Sequence, residues 1–118
     1  MRRLALLLPL SLSCAGPAAD DAAVCQDFVS RLCAEPVCES VTQTLAPGDA
    51  CSEELLRRTG CGNVDFQFST PSRARFLECR APLLRVSERV DVHPACEDVG
   101  DALSACPDLV AFLRGRSP

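Results

Sequence analysis

The sequence contains no tryptophan and no tyrosine, and lysine and isoleucine are also absent, so all twelve basic residues are arginine. Lysine, isoleucine and tyrosine share AT-rich codons. Their joint absence therefore reflects nucleotide composition and attaches no function to the arginines. Five phenylalanines are the only large aromatics, which leaves a core built mostly of Leu, Val, Ala and Cys. Phe76 alone interleaves with the arginines of the middle of the chain. Binding of single-stranded nucleic acid, which relies on aromatic stacking platforms, lacks its means. No stretch beyond the first dozen residues approaches the ~20 apolar residues that a membrane helix requires. Histidine occurs once, at position 93, and no Cys-x-x-Cys is present, so a thioredoxin-like redox role lacks its motif.

What the sequence does have is cysteine, nine in 118 residues. Residues 1–13 read as an export signal, with Met-Arg-Arg followed by the apolar run Leu4 to Leu12, too short to span a bilayer. Cys14 stands where that signal ends. Either it becomes the lipidated first residue of a bacterial lipoprotein, or a signal peptidase cuts after Ala15 or Ala18 and discards it. In both cases eight cysteines remain, Cys25, Cys33, Cys38, Cys51, Cys61, Cys79, Cys96 and Cys106. An even set behind an export signal predicts four disulfides formed in an oxidising compartment, with the protein extracellular, periplasmic or lipid-anchored at the cell envelope. Without residues 1–13 the chain carries ten arginines against sixteen acids, a net charge of −6. Nucleic acid is not an expected partner of so acidic a domain, and a lipid on Cys14 is the only expected contact with a membrane.

The spacing of apolar residues predicts an all-α fold, a small disulfide-stapled bundle of five or six short helices. Residues 14–21 read as a linker, 22–115 as one cysteine-rich domain and 116–118 as a frayed tail. Cys25, Phe28, Val29, Leu32 and Cys33 form one helical stripe. Cys25 and Cys33 lie ~12 Å apart along that helix, beyond the ~7 Å that a disulfide tolerates, so this helix is expected to be tied to other elements. The same argument excludes Cys51–Cys61 and Cys96–Cys106 and leaves Cys33–Cys38 open. Pro36 is expected near the first position of a second helix carrying Cys38, Val41 and Leu45. Asp49 is expected to cap a third over Ala50–Thr59 that stops at Gly60. Around residues 61–70 the alternation of Val64, Phe66 and Phe68 predicts an extended loop that presses phenylalanines into the core. Thr70-Pro71 is expected to open a fourth helix that Pro82 limits, and His93-Pro94 a fifth carrying Cys96, Val99, Leu103 and Cys106. Pro107 then opens a short last helix closed by Gly115. Val24-Cys25-Gln26-Asp27, Ala50-Cys51-Ser52-Glu53 and Ala95-Cys96-Glu97-Asp98 look alike but have no fixed period, so they read as helix starts rather than repeats.

The energetics favour the same architecture. Four disulfides at ~2–4 kcal/mol each match the ~5–15 kcal/mol net stability of a typical domain, so reduction is expected to unfold the protein.

Candidate chemistry is sparse. A zinc site has Cys33-x4-Cys38 and no second pair, so no metal is expected. Ser87, Asp91, His93 and Ser104 do not assemble into a nucleophile, base and orienting group, and no cofactor motif occurs, so no catalytic residue and no cofactor are assigned. Arg73, Arg75, Arg80, Arg85 and Arg89 against Glu78 and Glu88 give a local charge of +3 between Pro71 and Val90. That stretch reads either as an anion-facing patch or as a solvated face. The expected function is a non-catalytic binding module for an unknown protein or cell-surface ligand, with a disulfide-stapled carrier of a lipid or other small apolar ligand as the alternative.

Overall fold

A computed structural model describes residues 19–84 and 95–115. The described residues form six helices and no strands: α1 (Asp21–Leu32), α2 (Glu39–Leu45), α3 (Cys51–Thr59), α4 (Arg73–Leu84), α5 (Cys96–Ala105) and α6 (Pro107–Leu113). The protein is thus an all-helical, disulfide-stapled bundle. Helix α1 starts where the Asp20 side chain accepts a hydrogen bond from the Ala23 amide, and its stripe of Cys25, Phe28, Val29 and Leu32 is buried. It packs on α3 and α4. Helix α5 lies against α4 and α2, and α6 closes the other side against α2, α3 and α5.

All four cross-links join different elements. Cys25 of α1 bonds Cys61 in the loop after α3, and Cys33 bonds Cys51 at the start of α3. Cys38, ahead of α2, bonds Cys96 of α5, and Cys79 of α4 bonds Cys106 between α5 and α6. Cα separations of 5.5–6.2 Å suit such bonds. The excluded local pairs are absent among them. Cys33–Cys38 is not formed either, because the turn between α1 and α2 aims Cys33 at α3 and Cys38 at α5.

Several helix boundaries differ from the sequence expectation. Helix α2 begins at Glu39, with Cys38 extended as its cap, so Pro36 lies in the preceding turn. Ala50 occupies the cap position of α3 and makes no side-chain bond there; Asp49 falls one residue early. Ser72 caps α4, its hydroxyl accepting from the Arg75 amide and its carbonyl from the Phe76 amide, while Thr70-Pro71 precedes the cap. Helix α4 runs past Pro82 to Leu84, because burial of Leu83 continues the apolar face despite the ladder bond that proline cannot make. Cys38, Cys51 and Cys96 do mark helix starts, but Cys25 sits a turn inside α1, since Asp20 moves that start forward. Gly60 and Gly115 stop α3 and α6 at φ +82° in both cases, as their positions in the sequence suggest. Helix α5 begins at Cys96 with Ala95 extended as its cap and ends before Cys106, later than the expected start at His93-Pro94, which itself lies outside the described residues.

All five phenylalanines gather in one connected cluster. Phe28 of α1 meets Phe76 of α4 at 5.1 Å between ring centroids, and Phe76 meets Phe68 at 4.5 Å. Phe66 stands edge-on to Phe68 at 5.0 Å, and Phe112 of α6 lies 6.0–6.3 Å from Phe66, Phe68 and Phe76. Such ring pairs add roughly 0.5–1.5 kcal/mol each beyond area burial. The loop between α3 and α4 is thereby seated on the core.

Candidate functional site

That loop, residues 61–70, is fixed at both ends by identifiable bonds. At its start, the Cys25–Cys61 disulfide ties it to α1. The Gln26 side-chain amide donates to the Cys61 carbonyl at 2.8 Å, and the Cys61 amide donates to the Thr59 hydroxyl at 3.2 Å. At its tip, Asn63 builds the turn in the usual manner of an Asx residue. Its side-chain oxygen accepts from the Asp65 amide at 2.9 Å, and its carbonyl accepts from the Phe66 amide at 3.0 Å. Further on, the Phe68 amide donates to the Asp21 carboxylate at 2.9 Å. Asp21 also pairs with Arg73, whose other nitrogen donates to the Ala19 carbonyl. The Phe68 amide and then the Arg73 guanidinium hold the Asp21 carboxyl below its usual range.

Phe66 and Phe68 turn inward, but the turn built by Asn63 directs the residue at the tip outward. Val64 is 82% exposed, the one large apolar side chain so exposed among the described residues. Beside it lies an open cleft of about 570 Å³ lined by Asp20, Asp21, Val64, Asp65, Phe66 and Gln67. Asp20 and Asp65 have no cation within ion-pair distance among the described residues. The cleft therefore combines two apolar side chains with two carboxylates that have no ion-pair partner among the described residues. Sequence reasoning placed this loop and its inward phenylalanines but missed Val64, Asp20 and Asp65. The alternation grouped Val64 with Phe66 and Phe68 without setting it apart, whereas the turn-forming Asn63 beside it was the available signal that position 64 lies on a bend.

A second open cleft, about 470 Å³, lies between α2 and α5. Gly100 faces Ser40 there, and a Cβ at that position would make ordinary van der Waals contact at 3.9 Å. Its lining is mixed, with hydroxyls and carboxylates from Ser40, Thr44, Glu97, Asp101 and Ser104 beside Cys96 and Leu103.

The remaining candidates are placed as follows. The eight domain cysteines are all in disulfides. Cys79 and Cys106 also lie close to Asp108 in an arrangement of potential metal ligands, but their sulfurs are spent on each other and Asp108 holds Arg75 through two bonds of 3.0 and 3.2 Å. Arg73 is engaged by Asp21 and Arg75 by Asp108 and Glu78. Arg80 is buried at 2% exposure, 3.7 Å from Asp27, and burial pulls its pKa below the ordinary arginine value. Arg85, Arg89, Ser87, Asp91, His93 and Cys14 lie outside the described residues, and Ser104 is exposed on α5. No protein-family model matches the chain, and no curated protein or solved structure matches it.

Proposed function

We propose that this protein is an exported, non-catalytic interaction module that engages a partner protein through the loop of residues 61–70. The observation that carries the reading is Val64, exposed at 82% on a loop whose backbone is tied down before, at and after it. A side chain held in place before binding loses little conformational freedom on docking, which is how a small surface gains affinity. Burying a valine contributes roughly 1.5–2 kcal/mol, so Val64 is an anchor that needs support around it. Export is supported by the four disulfides, which form in an oxidising compartment, together with the signal-like residues 1–13. Lipidation at Cys14 would hold the module at the envelope, and cleavage beyond it would release the module. The carrier alternative draws no support from the two clefts, which are open rather than enclosed and carry carboxylates in their lining.

The test is site-specific photo-crosslinking in the producing cell, with benzoylphenylalanine at position 64 or at the exposed Ser52 of α3. A discrete protein adduct from position 64 and none from position 52 is expected. Equal adducts from both positions, or none from 64, overturn the reading. The intact mass of the same exported protein reports the cleavage site, any diacylglyceryl group on Cys14 and the hydrogens lost to disulfides.

A further inference from the structure

We infer that the cleft beside Val64 receives an arginine or lysine side chain of the partner protein. The inference rests on the interaction reading above and adds the chemistry of the occupant. The lining of the cleft brings Val64 and Phe66 together with Asp20, Asp21 and Asp65. Asp21 is already satisfied by Arg73 and the Phe68 amide. Asp20 uses one oxygen on the Ala23 amide and has the other to offer. The Asp65 carboxylate faces solvent.

Three kinds of occupant are separable by physics. An anionic group meets carboxylates of its own sign, on a chain whose net charge beyond the signal is −6. A purely apolar plug covers Val64 but strips water from Asp20 and Asp65 without replacing it, which costs more than a valine contributes. A long cationic side chain satisfies both halves of the cleft, its methylene stem lying on Val64 and Phe66 and its charged head meeting the carboxylates. Ion pairs at such a rim are modest in affinity. Their larger effect is on partner choice and association rate.

The test is an amide-resonance titration of the full, oxidised 15N-labelled chain with acetyl-Leu-Arg-Leu-amide, acetyl-Leu-citrulline-Leu-amide and acetyl-Leu-Glu-Leu-amide. The arginine peptide is expected to shift the amides of residues 64–67, with the citrulline and glutamate peptides far weaker. The D20N/D65N variant, in which asparagine keeps the helix cap, is expected to bind the arginine peptide roughly three- to tenfold more weakly. Raising salt from about 20 mM to about 500 mM is expected to act in the same direction. Equal response to all three peptides, shifts centred elsewhere, or no shift overturns the inference. So do changes at 64–67 on replacing Arg2 and Arg3 by serine, or on dilution alone, which assign the cleft to the chain's own first residues or to a second copy. A position-64 crosslink without a response to the arginine peptide removes the cationic occupant and leaves the interaction surface standing. Loss of both removes both.

Discussion

Arg58 donates to the carbonyl oxygens of Leu45 and Ala46 at the end of α2, at 2.7 and 3.0 Å, while its Nε holds Glu54 at 2.8 Å. Arg114 reaches the Thr44 carbonyl of the same helix end at 2.9 Å. Beside the left-handed Ala46 that closes this seven-residue helix, the two arginines thus supply the cationic donors that α2 lacks in its own last turn. Composition gave no reason to single out these arginines, because a residue type enriched by nucleotide bias looks the same whether it is solvated or structural. Their geometry also has a consequence for acid stability. Hydrogen bonds from Arg57 and Arg58 lower the Glu54 pKa from 4.5 to about 2, and Arg75 holds Asp108 below its usual value. A depressed carboxyl stabilises the folded state when ionised, so this contribution is complete above about pH 4.5 and is lost as pH falls towards 2. With disulfides intact, the melting temperature followed by circular dichroism is expected to fall across that window. The Glu54→Gln variant is expected to start lower at neutral pH and to fall less steeply, and the difference should shrink in high salt because Glu54 is reached by solvent.

Among the elements, α3 is the one whose limits the residues declare most openly. Glu53 and Glu54 sit in its first turn, Arg57 and Arg58 in its last, and Gly60 ends it. Helix α4 is less legible because its cap, Ser72, is hidden behind the stronger-looking Thr70-Pro71 and because Pro82 does not stop it. The 61–70 loop was readable as extended and as a source of buried phenylalanines. Its outward tip was not, since alternation describes a strand and Asn63 makes a bend. Asp21 is the residue that joins loop, α1 and α4. Asp21→Ala is expected to speed hydrogen exchange at the Phe68 amide by roughly tenfold or more, the usual cost of losing a bond to a charged acceptor. Asp21→Asn, which keeps an acceptor oxygen, is expected to restore part of the protection. A uniform speeding at all amides in Asp21→Ala would instead indicate a loss of global stability.

For the molecule as a whole, the four disulfides divide the work unequally. Cys38–Cys96 closes 58 residues and Cys33–Cys51 only 18. Chain-entropy reasoning assigns about 4 kcal/mol to the first and about 3 kcal/mol to the second. Alanine replacement of Cys38 with Cys96 is therefore expected to lower the denaturation free energy about 1 kcal/mol further than replacement of Cys33 with Cys51. Urea titration of the two double variants checks the order, and an inverted order would show that native-state packing outweighs loop closure. Full reduction of the unaltered chain is expected to abolish the helical circular dichroism signal.

Helical stripes, glycine stops at 60 and 115 and the need for oxidised cysteines were determined by the sequence alone. These are local properties, set within a turn or two of helix by side-chain spacing and backbone freedom. The sequence also forbade Cys25–Cys33, because an intact helix holds them apart whatever the fold. Only the tertiary structure decided which cysteine meets which, where each arginine is spent, and that Val64 faces solvent while Phe66 and Phe68 join Phe28, Phe76 and Phe112. The disulfides alone join residues 18 to 58 positions apart and Arg114 reaches across 70, and the periodicity of a single segment carries no information about its distant neighbours.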